Sequence, residues 1–219
     1  MGEAEWIKSE LLVRIHSDFY FYGDAASTPL AEAIALDISN HWNEVEGSVL
    51  LKNRLHRIEF RIRGFYAEDL APEVVWFNTD PRNNYFRIEE FSPVHVSFVD
   101  GIRCNTGYFK LDNLLNNSTT AAHEYGHTLG LDHPERLDIR GKGQPGIMYP
   151  RGTICDPAFQ YDPTAQPLQP GGTINPFARK VLQSDIDDLR LHKLSWNPPG
   201  FAVLGEFSSI YHGKEHPQP

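Results

Sequence analysis

The sequence predicts an α+β fold built as a single domain. Three observations carry this reading. Short apolar runs with strand character occupy much of residues 11–99, one stretch at 29–45 repeats its apolar residues at helical spacing, and a second helix is expected between a capping residue near 119 and Gly130.

Taken in order, Leu11-Leu12-Val13-Arg14-Ile15 reads as a first strand, and Gly23-Asp24 with Ser27-Thr28-Pro29 marks a turn and a helix start. Leu30, Ile34, Ile38, Trp42 and Val45 then recur at spacings of four and three, which places them on one helix face. Further strands are expected over 55–65, over 73–77 on Val74, Val75 and Phe77, over 84–91, and over 94–99, where Val94, Val96 and Phe98 alternate with His95 and Ser97. A twisted sheet of four or five strands follows. Ser118 or Thr119 caps the second helix, which runs through Ala121 to Leu129 and stops at Gly130. Residues 150–177 hold six prolines and no hydrophobic period, so they read as a long loop. Ser184-Asp185-Ile186-Asp187 has the form of a capping box, with Asp for the usual Glu, ahead of a last helix to about Leu194. The chain from Asn197 is expected to run over the surface.

Composition narrows the function classes. No apolar run approaches the ~20 residues of a membrane-crossing helix, which argues against a helical span. The formal charge of −9, with no stripe of Lys and Arg, argues against nucleic acid as the main partner. Met1-Gly2-Glu3-Ala4-Glu5-Trp6 has neither the basic nor the apolar segment of a secretory signal. Cys104 and Cys155 form no CxxC pair, which excludes a cysteine zinc site and leaves either one disulfide or two thiols.

The second helix carries the chemistry. His123-Glu124-Tyr125-Gly126-His127-Thr128-Leu129-Gly130-Leu131-Asp132-His133 has the form HExxHxxGxxH. Four residues make slightly more than one turn, so His123 and His127 leave the same face about 6 Å apart along the axis and can grip one ion. Glu124, one residue round, reaches a water on that ion and so holds the position of a general base. Gly130 can take a positive φ, end the helix and return His133 as third ligand. Three neutral imidazoles leave zinc one open position, the mark of a catalytic site and not of a closed structural one. The five fixed residues would meet by chance on the order of once in ten thousand such chains.

This motif resembles that of the metzincin metallopeptidases, and Gly146-Ile147-Met148-Tyr149-Pro150 resembles their Met-turn. Within that clan, Ala121 to His133 and Met148-Tyr149-Pro150 resemble matrixins, the catalytic domains of collagenase-type enzymes. Leu182-Gln183-Ser184-Asp185-Ile186 resembles the start of the matrixin last helix. The resemblance implies a zincin-like fold. A mixed twisted sheet and two helices lie above a cleft (about 11–133), the Met-turn and last helix below it (134–194), and a tail at 195–219. It implies a secreted, monomeric zinc endopeptidase acting on extended polypeptides, with Met148 as an apolar floor under the histidines and Asp185 anchoring the Met-turn. Val94 and Val96 would lie on an edge strand that pairs with substrate, and Tyr149 and Pro150 beside the pocket for the side chain following the cut. Calcium, common in matrixins, would fall to Asp18, Asp24, Asp112 or Asn113.

The likeness has departures. Ser184 stands where matrixins place the Asp that receives their freed amine, and Pro134 where they usually have Ser. Tyr149 adjoins Met148, so no tyrosine ligand is expected. The rival reading is a zinc-binding interaction module without peptidase activity, and a third is hydrolysis of a non-peptide substrate. Loss of activity commonly goes with replacement of the glutamate, and Glu124 is intact.

Overall fold

The computed structural model describes residues 1–91, 96–115 and 118–214. In chain order its regular elements are β1 (Gly2–Ile7), β2 (Leu12–Tyr22), α1 (Thr28–Glu44), β3 (Ser48–Leu51), β4 (Arg54–Tyr66), α2 (Pro72–Trp76), β5 (Asn83–Glu89), β6 (Phe98–Val99), β7 (Thr106–Lys110), α3 (Thr120–Leu129), α4 (Gln183–Asp188) and β8 (Phe201–Leu204). The fold is α+β around one mixed, eight-stranded sheet.

The sheet runs β3-β4-β2-β5-β7-β6. Its middle, β4-β2-β5-β7, is parallel, while β3 and β6 pair antiparallel at the two ends. β2 is long enough to be shared along one side: its first half pairs with β1 and its second half with β5. β1 in turn pairs antiparallel with β8.

α1 follows its sequence pattern. Ser27 Oγ accepts from the Leu30 amide at the N-terminus, Pro29 occupies the first turn, and Ala31, Ile34, Ala35, Ile38 and Trp42 are buried. The helix lies so close to β4 that a Cβ at Gly64 would fall 2.1 Å from the Ala31 carbonyl oxygen. The principal core, with Phe19, Phe21, Phe60, Phe86 and Phe109, fills the space between this sheet face and α1 and α3.

Four expectations are corrected. Residues 73–77 are not a strand: Pro72 opens the single helical turn α2, which buries Val75 and leaves Val74 and Phe77 outside. The sheet has eight strands and not four or five, because β1, β3, β7 and β8 are short or half polar and make sense only through their partners. The chain after Asn197 is not merely surface: Ala202 and Leu204 are buried where β8 joins β1. The last helix is also shorter than its pattern. It ends at Asp188, Arg190 takes a left-handed φ of 51°, and one tight turn over Leu191–Lys193 follows.

Residues 150–177 are a loop, as their prolines predict. It is organised by isolated bridges, Asp138 with Ile154 and Gln160 with Ile174, around a small core of Ile139, Cys155 and Ile174. Cys104 and Cys155 are both free thiols, so no disulfide joins them. Among the described residues no helix is long and apolar enough to cross a membrane.

Candidate metal centre

α3 is buried along its whole length. Tyr125, on the side facing the sheet, packs against Phe19, Phe60 and Trp42 and shares a 2.8 Å hydrogen bond with Ser17 Oγ. Trp42 Nε1 donates to the Ala122 carbonyl at 3.0 Å. These contacts fix the rotation of the helix and so aim His123 and His127 away from the core. At its start Ser118 Oγ accepts from the Thr120 amide, whereas the Thr119 hydroxyl turns away to donate to the Pro176 carbonyl at 2.7 Å. At its end Gly130, with φ 105°, closes a Schellman motif in which Leu131 N–H donates to Gly126 and Gly130 N–H to His127. The reversal brings His133 back over the helix.

His123, His127 and His133 meet. Their Nε2 atoms lie 3.1 Å apart (123 to 133) and 3.2 Å apart (127 to 133). His123 Nδ1 lies 2.7 Å from the Ile147 carbonyl and His127 Nδ1 2.7 Å from the Leu131 carbonyl. A carbonyl only accepts, so both rings carry their proton on Nδ1 and turn a bare Nε2 to the centre. His133 has one proton to give at most, so hydrogen bonding cannot satisfy both Nε2 contacts. A cation does: three nitrogens at 2.0–2.1 Å from a tetrahedral metal stand about 3.3 Å apart. This is the one group of metal-ligating side chains gathered among the described residues. Burial holds all three histidines below their ordinary pKa, and the Arg179 guanidinium adds to this at each ring.

Glu124 lies in the same cleft, a hollow of about 320 Å³ whose walls include Ser97, Phe98, Val99 and Asp132. Burial pushes its carboxyl up to about 8, against the pull of the Arg179 charge and of a hydrogen bond from the Val99 amide. A cation at the neighbouring imidazoles would favour the carboxylate again.

Two further residues stand behind the ligands. Met148 is buried against the bare flank of Gly126, between the two helical histidines. Asp185 accepts from the Leu182 amide at 2.7 Å and the Ile147 amide at 3.4 Å, tying α4 to the turn whose carbonyl orients His123. The capping interaction expected between Ser184 and Asp187 is therefore made by Asp185 and Leu182, because the helix begins two residues earlier.

Other candidates separate. Val94 lies outside the described residues. Val96 precedes β6, and Ser97, Phe98 and Val99 supply the cleft wall in its place. β6 is the sheet's terminal strand and antiparallel to β7. Tyr149 packs on the small core of the loop, and Pro150 is half-buried beside it. The residues considered for calcium do not converge: Asp18 is held by Arg63 at 2.7 and 2.6 Å, Asp24 by Lys214 at 2.5 Å and Asp112 by Lys110 at 2.9 Å, while Asn113 donates to Ser97.

Arg179 escaped the sequence reading. It is buried, its Nε donates to Thr119 Oγ1 at 3.0 Å and its Nη1 to the Tyr149 carbonyl at 3.1 Å, and Nη1 touches His123 Nδ1 at 3.0 Å. Nothing in the short stretch between the proline-rich loop and the last helix distinguishes this arginine; only its position does. Val99 is likewise recruited by its backbone, to which sequence gives no clue. No protein-family model matches the chain, and no curated protein matches it in sequence.

Proposed function

We propose that this chain is a zinc-dependent metalloendopeptidase of the metzincin type, with a matrixin-like catalytic domain. The observation that carries the reading is the convergence of three imidazoles, with His133 Nε2 3.1 and 3.2 Å from those of His123 and His127 and all three ligand atoms within 4.8 Å of one another, beside a buried glutamate in an open cleft. Imidazole donors in a three-nitrogen set suit zinc. A bound zinc ion supplies a Lewis acid that polarises the scissile carbonyl and acidifies the attacking water.

The protein's own residues do the rest. Ile147 and Leu131 hold His123 and His127 in the ligating tautomer through their carbonyls. Glu124 takes the proton of the attacking water as oxygen bonds to the carbonyl carbon, then delivers it to the nitrogen as the C–N bond breaks. The Val99 amide keeps that carboxylate facing the cleft. β6, at the end of the sheet, offers an extended peptide an antiparallel partner whose main-chain hydrogen bonds are indifferent to side chains. Asp185 and Met148, behind the ligands, support the same assignment, as does the α+β arrangement of one mixed sheet with the ligand helix buried against it.

Digestion of an unbiased peptide library by wild type and Glu124→Ala, with zinc quantified in both, tests the proposal. Wild type should cleave internal bonds, and the variant should keep its zinc and lose at least ~100-fold in rate. Unchanged cleavage by the variant, or wild-type protein that takes up no zinc, would sink it.

A further inference from the structure

The described residues include two deeply buried arginines, and they are treated differently. Arg87, 5 % exposed, is paired with the carboxylate of Glu89. Arg179, 4 % exposed, has no carboxylate of the described residues within hydrogen-bonding distance. Its Nε and Nη1 are spent on a hydroxyl and on carbonyls, and its Nη2 finds no acceptor among the described residues. Burying a guanidinium without a counter-ion is costly, and folds retain such a charge where something else completes it. Burial pulls this guanidinium down to about 10, and Glu124 is the acid that opposes the shift. Glu124, however, belongs to the proton transfer.

The position of the charge is specific. Arg179 sits against the back of the His123 ring, bridging the first turn of α3 at Thr119 and the carbonyl of Tyr149. Arg151, exposed and two residues past Tyr149, adds a second positive charge to its surroundings. On the other side of the histidines Asp132 lines the cleft. The three histidines therefore stand between the acidic Asp132 and the Arg179 charge, in a chain whose net charge is −9.

We infer that Arg179 is a substrate-recognition residue that receives a carboxylate of the bound peptide near the reacting bond, so that the enzyme prefers peptides that carry a carboxylate there. The inference rests on the peptidase reading. The planar guanidinium fork suits a carboxylate, and a charge-assisted hydrogen bond in a buried setting discriminates strongly against the neutral amide of the same shape. The carboxylate has two sources, an Asp or Glu side chain beside the cut or a peptide's free C-terminus.

Equilibrium binding separates these sources without turnover. Zinc-loaded Glu124→Gln protein, and the same protein carrying Arg179→Gln or Arg179→Lys, is titrated with matched peptides. One pair differs only by Glu for Gln, and a second pair, lacking acidic side chains, only by a free or amidated C-terminus. With Arg179 present, one of the two carboxylate peptides should bind about tenfold tighter than its neutral match. The preference should fall to about twofold or less with Gln and be partly restored by Lys. Equal binding within both pairs while Arg179 is in place overturns the inference, whatever the variants do. So does a preference that survives Arg179→Gln. Acid-selective binding in a protein whose wild type cleaves no peptide would overturn the peptidase reading and leave the recognition site standing.

Discussion

A Cβ on Gly126 would sit 2.3 Å from Met148 Sδ and 3.1 Å from its Cε. The thioether is thus laid directly on the backbone of the ligand helix, between His123 and His127. Gly126→Ala should displace Met148 and destabilise the protein by about 1–3 kcal/mol, the usual cost of overpacking. Met148→Ala should cost about 2–5 kcal/mol alone through its cavity, yet much less in the Gly126→Ala background. Thermal melts of the four proteins give the cycle; additive losses would show that the contact is not what holds the two residues together.

Gly130 controls the third ligand from outside it. Its φ of 105° is unfavourable for any side chain, and a Cβ there would also meet Arg103 Nε at 3.1 Å. Gly130→Val should cost at least about 1–2 kcal/mol. It should also lower zinc occupancy while all three histidines remain. Metal analysis after dialysis checks this, and full occupancy in a folded variant would contradict it.

The pH dependence of the metal centre has a definite sign. All three histidines have pKa values lowered by burial, so they stay neutral below their ordinary value near 6.5. Zinc should be retained as pH falls from 7.5 through 6.5 and be released only in more acid solution. In chelator-treated, metal-free protein the same shifts mean that the unfolded chain binds protons first. The stabilisation is then complete above about pH 6.5 and is lost as pH falls. Urea midpoints and chelator competition across this range test both statements; zinc release centred on 6.5 would refute the first.

Asp185 behaves in the opposite sense. Burial raises its carboxyl to about 6, although the Leu182 and Ile147 amides favour the anion. Its contribution to stability is therefore greatest below about pH 4, where it is protonated in both states, and declines as pH rises through 6. Asp185→Asn keeps an acceptor and buries no charge. Relative to wild type it should gain on the order of 2–3 kcal/mol between pH 4 and pH 7.5. Asp185→Ala removes the same pH dependence but strands two amides, so it should be about 1–3 kcal/mol less stable than Asp185→Asn at both pH values. Chemical denaturation at the two pH values distinguishes them, and a pH-independent difference for Asn would sink the assignment.

What the sequence by itself determined lies within a few residues of its own cause. His123 and His127 share a helix face because four residues make about one turn, Gly130 ends that helix because it accepts a left-handed φ, and His133 follows at a fixed distance. α1 was legible for the same reason, since an apolar face at spacings of three and four needs no distant partner to be recognised. Tertiary structure decided the remainder. Val74 and Val75 have strand character, but Pro72 and a place on the sheet's outer side make them one helical turn. β8 exists through β1, about two hundred positions away, whose edge it completes. Asp185 reaches Ile147 across 38 residues and Arg179 reaches His123 across 56. Sequence periodicity encodes which side chains share a face. It does not encode which distant carbonyl or guanidinium closes over them, and here such distant groups set the His123 tautomer and the charge behind its ring.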